Sequence, residues 1–412
     1  MPTLDVQFVR KQFPAFSEPS LDGWAFFENA GGSYACQQVI DRLTTFYTKT
    51  KVQPNGPYPA GRTAGEWMNE AYPRLAGYLN VGSDEVHFGP STSQNTYVLS
   101  HAFRPMWDDG DEIVVSNQDH EANAGVWRRL ADTGIVVKEW EVNPETGMLS
   151  LDDLDSLLTE KTRMVAFPHC SNVVAHVNPV AEISAKAHEV GAIVVTDGVS
   201  YAPHGLPDVD ALGCDIYLFS MYKTWGPHLG LMTCRQELIE KVANQGHYFN
   251  APKPDKRLTP AGPDHGQIAA AAGVADYLDT IYAEHFDTPL DQVPLAERGR
   301  QLHDLFQDHE KMLLSPLLGW LKGRDDVRIV GPDDAEVRAP TVAVIPQNKS
   351  IAEVLGTLES HKIMANSGDF YGVRPLSGMG VPLNPGVLRL SFVHYTTMDE
   401  IEQLIGALDA AL

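Results

Sequence analysis

The chain has 412 residues, of which 43% are hydrophobic and 21% are charged, and this composition is typical of a globular protein with two or three domains. Its 31 basic and 54 acidic residues give a formal net charge of −23 at pH 7, which disfavours nucleic acid and anionic membrane surfaces as partners. The first residues lack the apolar segment of a secretory signal, and no run reaches the length of a membrane span. We therefore expect a cytoplasmic protein.

The four cysteines are scattered along the chain, at Cys36, Cys170, Cys214 and Cys234. They show no C-x-x-C spacing and no partnering cluster of histidines, which argues against a disulfide framework and against a zinc site. We expect reduced, mostly buried thiols and no metal centre.

From residue 85 to 235, short β-rich runs alternate with amphipathic stretches such as 178–191. Nearly continuous Val/Ile runs between helices predict a mostly parallel sheet covered on both faces, with ligands beyond the carboxyl ends of its strands. Four polar residues that end such runs, His120, His169, Asp197 and Ser220, should therefore lie along one rim. The predicted strands are 111–120, 134–142, 163–169, 192–198, 215–220 and 229–234.

An Ala-rich region from Gly266 to about Lys311 predicts long helices, and a second α/β pattern follows it. The last helix should open at Thr397 with a capping box that ends at Glu400. Two stretches rich in Pro and Gly are predicted to be long loops, a kind of segment that often carries function. These loops are 53–62 and 372–386; the second pattern comprises strands at 327–332, 341–346 and 386–395 and a helix at 351–361.

A single lysine, Lys223, lies in 220-SMYKTWGPHLGLM-232 among apolar and aromatic neighbours. Burial lowers the pKa of a lysine and makes its amine a nucleophile that forms Schiff bases with aldehydes, so an aldehyde cofactor is one explanation. Taken alone, a lysine of this kind is more often a solvated loop residue.

If the aldehyde cofactor is pyridoxal phosphate, its site also needs groups that bind the phosphate and a carboxylate at the pyridinium nitrogen. It further needs a side chain that stacks on the ring and a donor to the phenolic oxygen. The stretch 88-FGPSTSQNTYVL-99 places hydroxyls before a helical pattern, where a phosphate binds or a plain N-cap forms. Asp197 ends an apolar run and needs a cationic partner, either a pyridinium nitrogen or a structural salt bridge. His120 could stack on the ring or be a core histidine, and Asn172 could donate to the phenolic oxygen or form a turn.

Several motifs occur in a fixed order: Ser-Thr-Ser before a helix, Asp-His, His-x-Ser-Asn, Thr-Asp-Gly, Ser-x-Tyr-Lys-x-x-Gly-Pro and Leu-Arg-Leu-Ser-Phe-x-x-Tyr-Thr-Thr. This order resembles the class V aminotransferase superfamily, and within it the cysteine desulfurase-like and isopenicillin N epimerase-like proteins. The resemblance implies a fold type I enzyme that depends on pyridoxal 5'-phosphate and is usually a homodimer. It implies a large domain at 31–290 with a mostly parallel, seven-stranded-type sheet, a small α/β domain at 291–412, and an N-terminal segment, 1–30, that joins the small domain.

The resemblance also implies roles for single residues. Lys223 would form the Schiff base and move protons at the substrate Cα, Asp197 would keep the ring nitrogen protonated, and His120 would stack on the ring. Asn172 would contact the phenolic oxygen, and Arg389 would bind the substrate carboxylate as a bidentate pair. Thr92, Ser93, Ser220 and Tyr222 would hold the phosphate. Ser91, at the same helix N-terminus, and Ser200 are also expected to bind the cofactor. The residues expected to face the substrate are Asn29, Tyr58, Arg62, Tyr371, Arg374 and Arg389.

The chain also departs from the pattern of desulfurases, which carry a persulfide-forming cysteine on a flexible loop. The matching stretch here is 366-NSGDFYGVRP-375, in which Tyr371 comes nearest to that cysteine. Ser200 and Tyr201 stand near the position of a usual Gln or His. Ala261-Gly262 replaces the Gly-Thr that a neighbouring subunit offers to the phosphate. Persulfide relay through the loop is therefore not expected.

We expect the enzyme to act on a small amino acid as a C–S lyase or in a desulfurase-like elimination. An amino-acid epimerase or an aminotransferase is the alternative, because all three reactions begin with removal of the α-proton. A non-catalytic, PLP-binding regulatory protein is the alternative of another class. Arg62 and Arg374 together would suit a second acidic group on the substrate.

Overall fold

The central sheet contains all six strands that the β-rich runs predict, together with β2. Every residue of β7 and β8 is buried, because helices cover both faces of the sheet. The computed structural model describes residues 2–412. Its strands are β1 (Ala25–Phe26), β2 (Val86–Gly89), β3 (Glu112–Ser116), β4 (Val136–Trp140), β5 (Thr162–Pro168), β6 (Ile193–Asp197), β7 (Ile216–Ser220), β8 (Gly230–Cys234), β9 (Val327–Val330), β10 (Thr341–Pro346), β11 (Ile363–Met364), β12 (Asn366–Gly368) and β13 (Val387–Ser391).

Helices surround this sheet and link it to a second one. The long helices predicted after Gly266 are confirmed as α10 and α11, and α10 packs against α2 and α3. The α-helices are α1 (Val6–Arg10), α2 (Gln37–Lys49), α3 (Pro59–Leu79), α4 (Thr92–Phe103), α5 (Glu121–Arg128), α6 (Leu151–Leu157), α7 (Val180–Glu189), α8 (Val209–Leu212), α9 (Gln236–Ile239), α10 (His265–His285), α11 (Leu295–Lys322), α12 (Ile351–Ser360), α13 (Val373–Gly378) and α14 (Met398–Ala411).

The strand order in the central sheet is β2-β8-β7-β6-β5-β3-β4. Only β8 runs antiparallel to its neighbours, and the other pairs are parallel, which confirms the predicted mostly parallel sheet. The carboxyl ends of β3, β5, β6 and β7 therefore share one edge, and this edge positions the candidate site.

The second sheet is antiparallel, in the order β12-β13-β10-β9. A chain segment from the N-terminal part lies beside it, because β1 pairs in parallel with β11 and Glu28 bridges to Ser391. The boundaries proposed at residues 30 and 290 stay predictions. The capping box of α14 is confirmed: Glu400 N donates to Thr397 Oγ1 at 3.2 Å, and Thr397 N donates to Glu400 Oε2 at 2.9 Å.

Both predicted loops are partly helical, so these two predictions are wrong in extent. Helix α3 already begins at Pro59, because proline at the first helical position lacks only an N–H that the helix would leave unpaired. Helix α13 includes Pro375 in its first turn for the same reason. Within residues 2–412, no helix is long and apolar enough to cross a membrane. All four cysteines are buried and unpaired.

Candidate active site

A cavity lies at the carboxyl edge of the central sheet. It contains every residue that the sequence assigned to catalysis or to the cofactor. The elements that carry them are the ends of β6 and β7, the turns after β5 and β7, and the first turns of α4 and α5. The predicted residues that line it are Ser91, Thr92, Ser93, His120, Asn172, Asp197, Ser200, Ser220, Tyr222 and Lys223.

Lys223 is 8% exposed and lies in the turn that follows β7. Its backbone is held in place, because Ser33 Oγ donates to Lys223 O at 2.7 Å. Burial lowers the pKa of Lys223 to about 8, and the nearby Arg389 contributes in the same direction, whereas Asp197 and Glu28 act against them. The amine is therefore partly neutral near physiological pH, as a nucleophile that attacks an aldehyde must be.

Asp197 ends β6 and is 4% exposed. Its Oδ1 accepts a hydrogen bond of 2.8 Å from Val199 N. Burial raises the pKa of this carboxyl, while the Val199 N–H and the charge of Lys223 lower it. No arginine or lysine within residues 2–412 forms a salt bridge with it. A buried carboxylate of this kind fits a cationic ring nitrogen.

Hydroxyl groups form the end of the cavity at the start of α4. Ser91 is the N-cap and accepts from Gln94 N at 3.2 Å, while the Thr92 and Ser220 hydroxyl oxygens are 2.8 Å apart. Strand β8 passes very close to this turn, since a Cβ on Gly230 would lie 2.4 Å from the carbonyl carbon of Ser91. Backbone N–H groups and hydroxyls at the N-terminus of a twelve-residue helix fit a phosphate.

His120 is the N-cap of α5, and its Nδ1 accepts from Ala122 N at 3.0 Å. Burial lowers the pKa of His120 to about 3, with further contributions from Lys223 and Arg389. The ring is therefore neutral, which suits stacking on an aromatic cofactor. Its centroid is 5.3 Å from that of Tyr371.

The second sheet contributes Arg389, which lies on β13 and is 3% exposed. Its Nη1 donates to Asn172 O at 3.3 Å, and Asn172 Nδ2 donates to Phe370 O at 2.8 Å. Burial lowers the pKa of Arg389 to about 10, and the charge of Glu28 acts against this shift. Arg389 Nε and Asn172 Oδ1 have no hydrogen-bond partner among residues 2–412. Both atoms are buried, and neither is committed to a hydrogen bond within the protein.

The remaining substrate-facing predictions fall into separate places. Tyr371 is 69% exposed, and Arg374 forms a 3.3 Å ion pair with Glu121; these three residues border a second pocket beside His120. Neither Tyr58 nor Arg62 lines the cavity. Tyr58 is 43% exposed, and Arg62 donates to Pro57 O at 2.8 Å. Their substrate contacts stay predictions that the geometry of a single chain does not support.

Asn29 lines a small cavity that adjoins Lys223, but its amide is already engaged. Its Nδ2 donates to Ser391 O at 3.2 Å, and its Oδ1 accepts from Ser33 Oγ at 3.3 Å and from the Tyr395 hydroxyl. These bonds connect the chain segment before α2 with β13. They leave the amide few free groups for a substrate.

Sequence reasoning missed Asp119, which lines the cavity and is buried. Its Oδ1 accepts from His120 N at 2.8 Å and its Oδ2 from Asn123 Nδ2 at 2.7 Å. Burial and then the charge of Asp197 raise the pKa of the Asp119 carboxyl. The signal was present, since Asp119 directly precedes His120 at the end of a predicted strand.

Cys170 and His169 directly follow β5 at this edge of the sheet. Cys170 also lines the cavity, but burial raises its thiol pKa to about 12, so it is not a thiolate. His169 was expected on the rim, yet its ring stacks on Tyr201 at 3.6 Å and its Nδ1 lies 2.9 Å from the Tyr217 hydroxyl. His169 therefore belongs to the packing behind the cavity.

The model of the family described as "Aminotransferase class-V" matches residues 25–283 and 302–404. The chain belongs to this family. It is 32% identical to "Aminotransferase-like protein FGM3" of Gibberella zeae, over 100% of this chain and 99% of that protein. It is 29% identical to "Cysteine desulfurase-like protein ustD" of Aspergillus flavus, over 98% of this chain and 90% of that protein.

A solved structure has the same fold. The apo cysteine desulfurase of Thermococcus onnurineus superposes with a TM-score of 0.85 at 22% identity, and the match covers 100% of this chain and 99% of the other. The family and these relatives identify the chain as a cysteine desulfurase-like enzyme that depends on pyridoxal 5'-phosphate. The cavity fits this cofactor, because it combines a buried lysine, a buried carboxylate without a basic salt-bridge partner and a hydroxyl-rich helix N-terminus.

Proposed function

We propose that this enzyme eliminates a sulfur group from Cβ of a small amino acid, without storing the sulfur as a persulfide. The observation that carries the proposal is the loop at 366–375, which presents the exposed Tyr371 beside His120 where desulfurases carry a cysteine. None of the four cysteines lies in this loop, and all four are buried. The leaving sulfur therefore meets a hydroxyl group in this loop, and Cys170, which borders the cavity, is a buried and protonated thiol.

Lys223 in the cavity, Arg389 on β13 and Tyr371 at the neighbouring pocket divide the work of the reaction. Arg389 binds the substrate carboxylate, and Lys223 Nζ takes the proton from Cα. Tyr371 Oη gives a proton to the sulfur as the Cβ–S bond breaks and the electron pair of the Cα–H bond forms a Cα=Cβ bond. When bound, pyridoxal phosphate supplies an electron sink for the charge that develops at Cα. For an S-substituted cysteine, one water is consumed and the products are a thiol, pyruvate and ammonia.

The other polar residues bind and orient the cofactor. When the cofactor is bound, Asp197 would hold a proton on the ring nitrogen, and the neutral His120 would stack on the ring. Asn172 would contact the phenolic oxygen. The hydroxyls and backbone N–H groups at the start of α4 would hold the phosphate together with the hydroxyls of Ser220 and Tyr222, and Ser200 would add a further contact to the cofactor.

We further propose that two copies of the chain act as a homodimer. Aromatic side chains that a monomer would leave in water support this proposal: Tyr58 is 43% exposed, and Phe249 is 60% exposed. In a dimer, Tyr58 and Arg62 would be free to reach the cavity of the partner. Sedimentation analysis of the purified protein should give twice the 45.2 kDa mass of the chain. A monomeric mass would contradict the homodimer and the proposed contact of Tyr58 and Arg62 with the cavity of the partner.

The experiment that tests the proposed reaction follows the absorption of the bound cofactor and the products together. The protein is mixed separately with L-cysteine, S-methyl-L-cysteine, L-cysteine sulfinate, L-aspartate and L-alanine. We expect L-cysteine and S-methyl-L-cysteine, whose sulfur leaves as sulfide or as a thiol, to shift the visible band and to release pyruvate and ammonia in equal amounts. The Tyr371→Phe variant should bind them as well as the wild type and release the products about 10²-fold more slowly.

Other outcomes point to other reactions. Release of alanine would indicate true desulfuration, and a 2-oxo acid without ammonia would indicate aminotransfer. Appearance of the D-amino acid would indicate epimerisation. Spectral shifts without any product would support a binding protein and would contradict the proposed catalysis.

A further inference from the structure

The ring of Phe370 lies flat against the guanidinium of Arg389. The guanidinium carbon is 3.7 Å from the ring centroid. This contact joins the 366–375 loop to the arginine that the proposed function assigns to the substrate carboxylate. The sequence motifs did not predict this contact between Phe370 and Arg389.

Arg389 lacks the partner that a buried arginine usually has. No Asp or Glu carboxylate within residues 2–412 comes within 4.0 Å of it. A buried charge without such a partner is costly, and an aromatic face is one of the few groups that can offset the cost without neutralising it. Phe370 thus stabilises the free arginine and leaves its charge available.

One edge of the buried guanidinium also lacks a hydrogen-bond partner in the protein. Phe370 covers a face, and Nη1 is engaged by Asn172 O at 3.3 Å. Nε has no partner among residues 2–412. A carboxylate binds arginine in the plane of the guanidinium, through two parallel N–H groups, so a stacked ring does not compete with it.

We propose that Phe370 is a positioning residue that fixes the plane of Arg389, so that its free N–H groups face the carboxylate of the substrate. The inference rests on the proposed role of Arg389 and adds a determinant of specificity to it. Phe370 selects for substrates that carry a carboxylate on Cα, although it does not touch that carboxylate.

The conformation of the loop supports this role. Phe370 and Tyr371 both have left-handed backbones, with φ of 50° and 58°, which are uncommon for residues other than glycine. Specific contacts hold them there, since Asn172 Nδ2 donates to Phe370 O at 2.8 Å and Glu121 N donates to Tyr371 O at 3.0 Å. The contact between Phe370 and Arg389 therefore also stabilises the conformation of the loop. One short segment positions both Arg389, at the carboxylate site, and Tyr371, near the leaving group.

The test compares two ligands that differ only in the carboxylate, L-alanine and ethylamine. Their apparent dissociation constants are measured from the absorption of the bound cofactor in the full-length holoenzyme, and the ratio of the two constants is the carboxylate preference. We expect Phe370→Leu to reduce this preference about tenfold, or about 1.4 kcal/mol. Phe370→Tyr should restore it, because the tyrosine ring offers the same face.

The chain offers a matched control. Arg10 lies over the ring of Phe16 with the same separation of 3.7 Å, and neither residue lines the cavity. Phe16→Leu therefore removes an equivalent contact and should leave the carboxylate preference unchanged. With a sulfur amino acid that turns over, Phe370→Leu should raise KM more than it lowers kcat.

The Arg389→Gln variant tests the role of Arg389 separately from the role of Phe370. If this variant loses the preference while Phe370→Leu keeps it, Arg389 binds the carboxylate and the role of Phe370 is refuted. If Arg389→Gln keeps the preference, the proposed role of Arg389 itself is wrong. Should Phe370→Leu fail to fold, Phe370→Met replaces the ring with another flexible apolar chain, and the same outcomes apply.

Discussion

The two halves of the candidate site differ in how they are held. The cofactor half lies at the carboxyl ends of β6 and β7 and at the first turn of α4, where the backbone bonds of the sheet and helix fix each position. The substrate half depends on Asn172, Phe370 and Arg389, which meet across 198 and 217 residues of sequence. Rigid secondary structure makes the first half readable from sequence, whereas the second half is defined only when two sheets come together.

The sharpest test of the cofactor half is Asp197→Asn. Asparagine keeps the shape and the bond from Val199 N but cannot hold the ring nitrogen protonated through its charge. We expect kcat to fall about 10²-fold or more with little change in cofactor content. Turnover and the visible absorption of the bound cofactor are measured together. Asp5→Asn is the control, since Asp5 caps α1 and asparagine caps helices equally well. Unchanged turnover would contradict the pairing of Asp197 with the ring.

Gly230→Ala tests the close approach of β8 to the phosphate end. The added Cβ would lie 2.4 Å from the Ser91 carbonyl carbon and 2.5 Å from Thr92 N, so the first turn of α4 must move. We expect cofactor affinity to fall about tenfold, or about 1.4 kcal/mol. Equilibrium dialysis of the cofactor measures it. Gly319→Ala is matched, because a Cβ at Gly319 meets nothing within 4 Å. If Gly230→Ala binds as tightly as Gly319→Ala, this turn does not hold the phosphate.

The smallest effects are expected in the substrate half, from Arg62→Ala and Arg374→Ala. Arg62 bonds to Pro57 O, and its replacement should change kcat/KM by less than about twofold unless a partner subunit uses it. Arg374 pairs with Glu121 near the surface, so its loss should raise KM by no more than about fivefold, and equally for all substrates. The measurements are kcat/KM with S-methyl-L-cysteine and the apparent dissociation constants of L-aspartate and L-alanine, taken from the absorption of the bound cofactor. A selective loss for L-aspartate would show that an arginine binds a second acidic group.

Much of the fold follows from the sequence because its signals are local. Runs such as 192–198 and 215–220 are apolar enough to be buried strands. The residue that ends such a strand in a parallel sheet lies at the carboxyl edge of the sheet, where ligands bind. Asp197 was identified in this way, whereas Lys223 was identified from its apolar and aromatic neighbours in 220-SMYKTWGPHLGLM-232. The start of α3 at Pro59 was missed because proline breaks most helices but also begins them.

The substrate half resists prediction for a physical reason. Phe370 and Tyr371 adopt backbone conformations that neither residue favours, so local preference predicts something else. The contacts that hold them come from Asn172 and Glu121, far away in the sequence. Asp119 is a different case. Its position at the end of a predicted strand, directly before His120, could be predicted from the sequence, but its place in the lining of the cavity was not.

The hydrogen bonds of Asn29 and Ser33 have a mechanical consequence. Residues 25–33 begin as a strand beside β11, bond to β13 through Asn29, and end with the Ser33 hydroxyl on the backbone of Lys223. This segment connects the second sheet to the backbone of Lys223. A displacement of that sheet relative to the central sheet would be transmitted to the backbone of Lys223 through these hydrogen bonds. Removing the first 30 residues would uncouple the two ends of the active site, even if each end kept its shape.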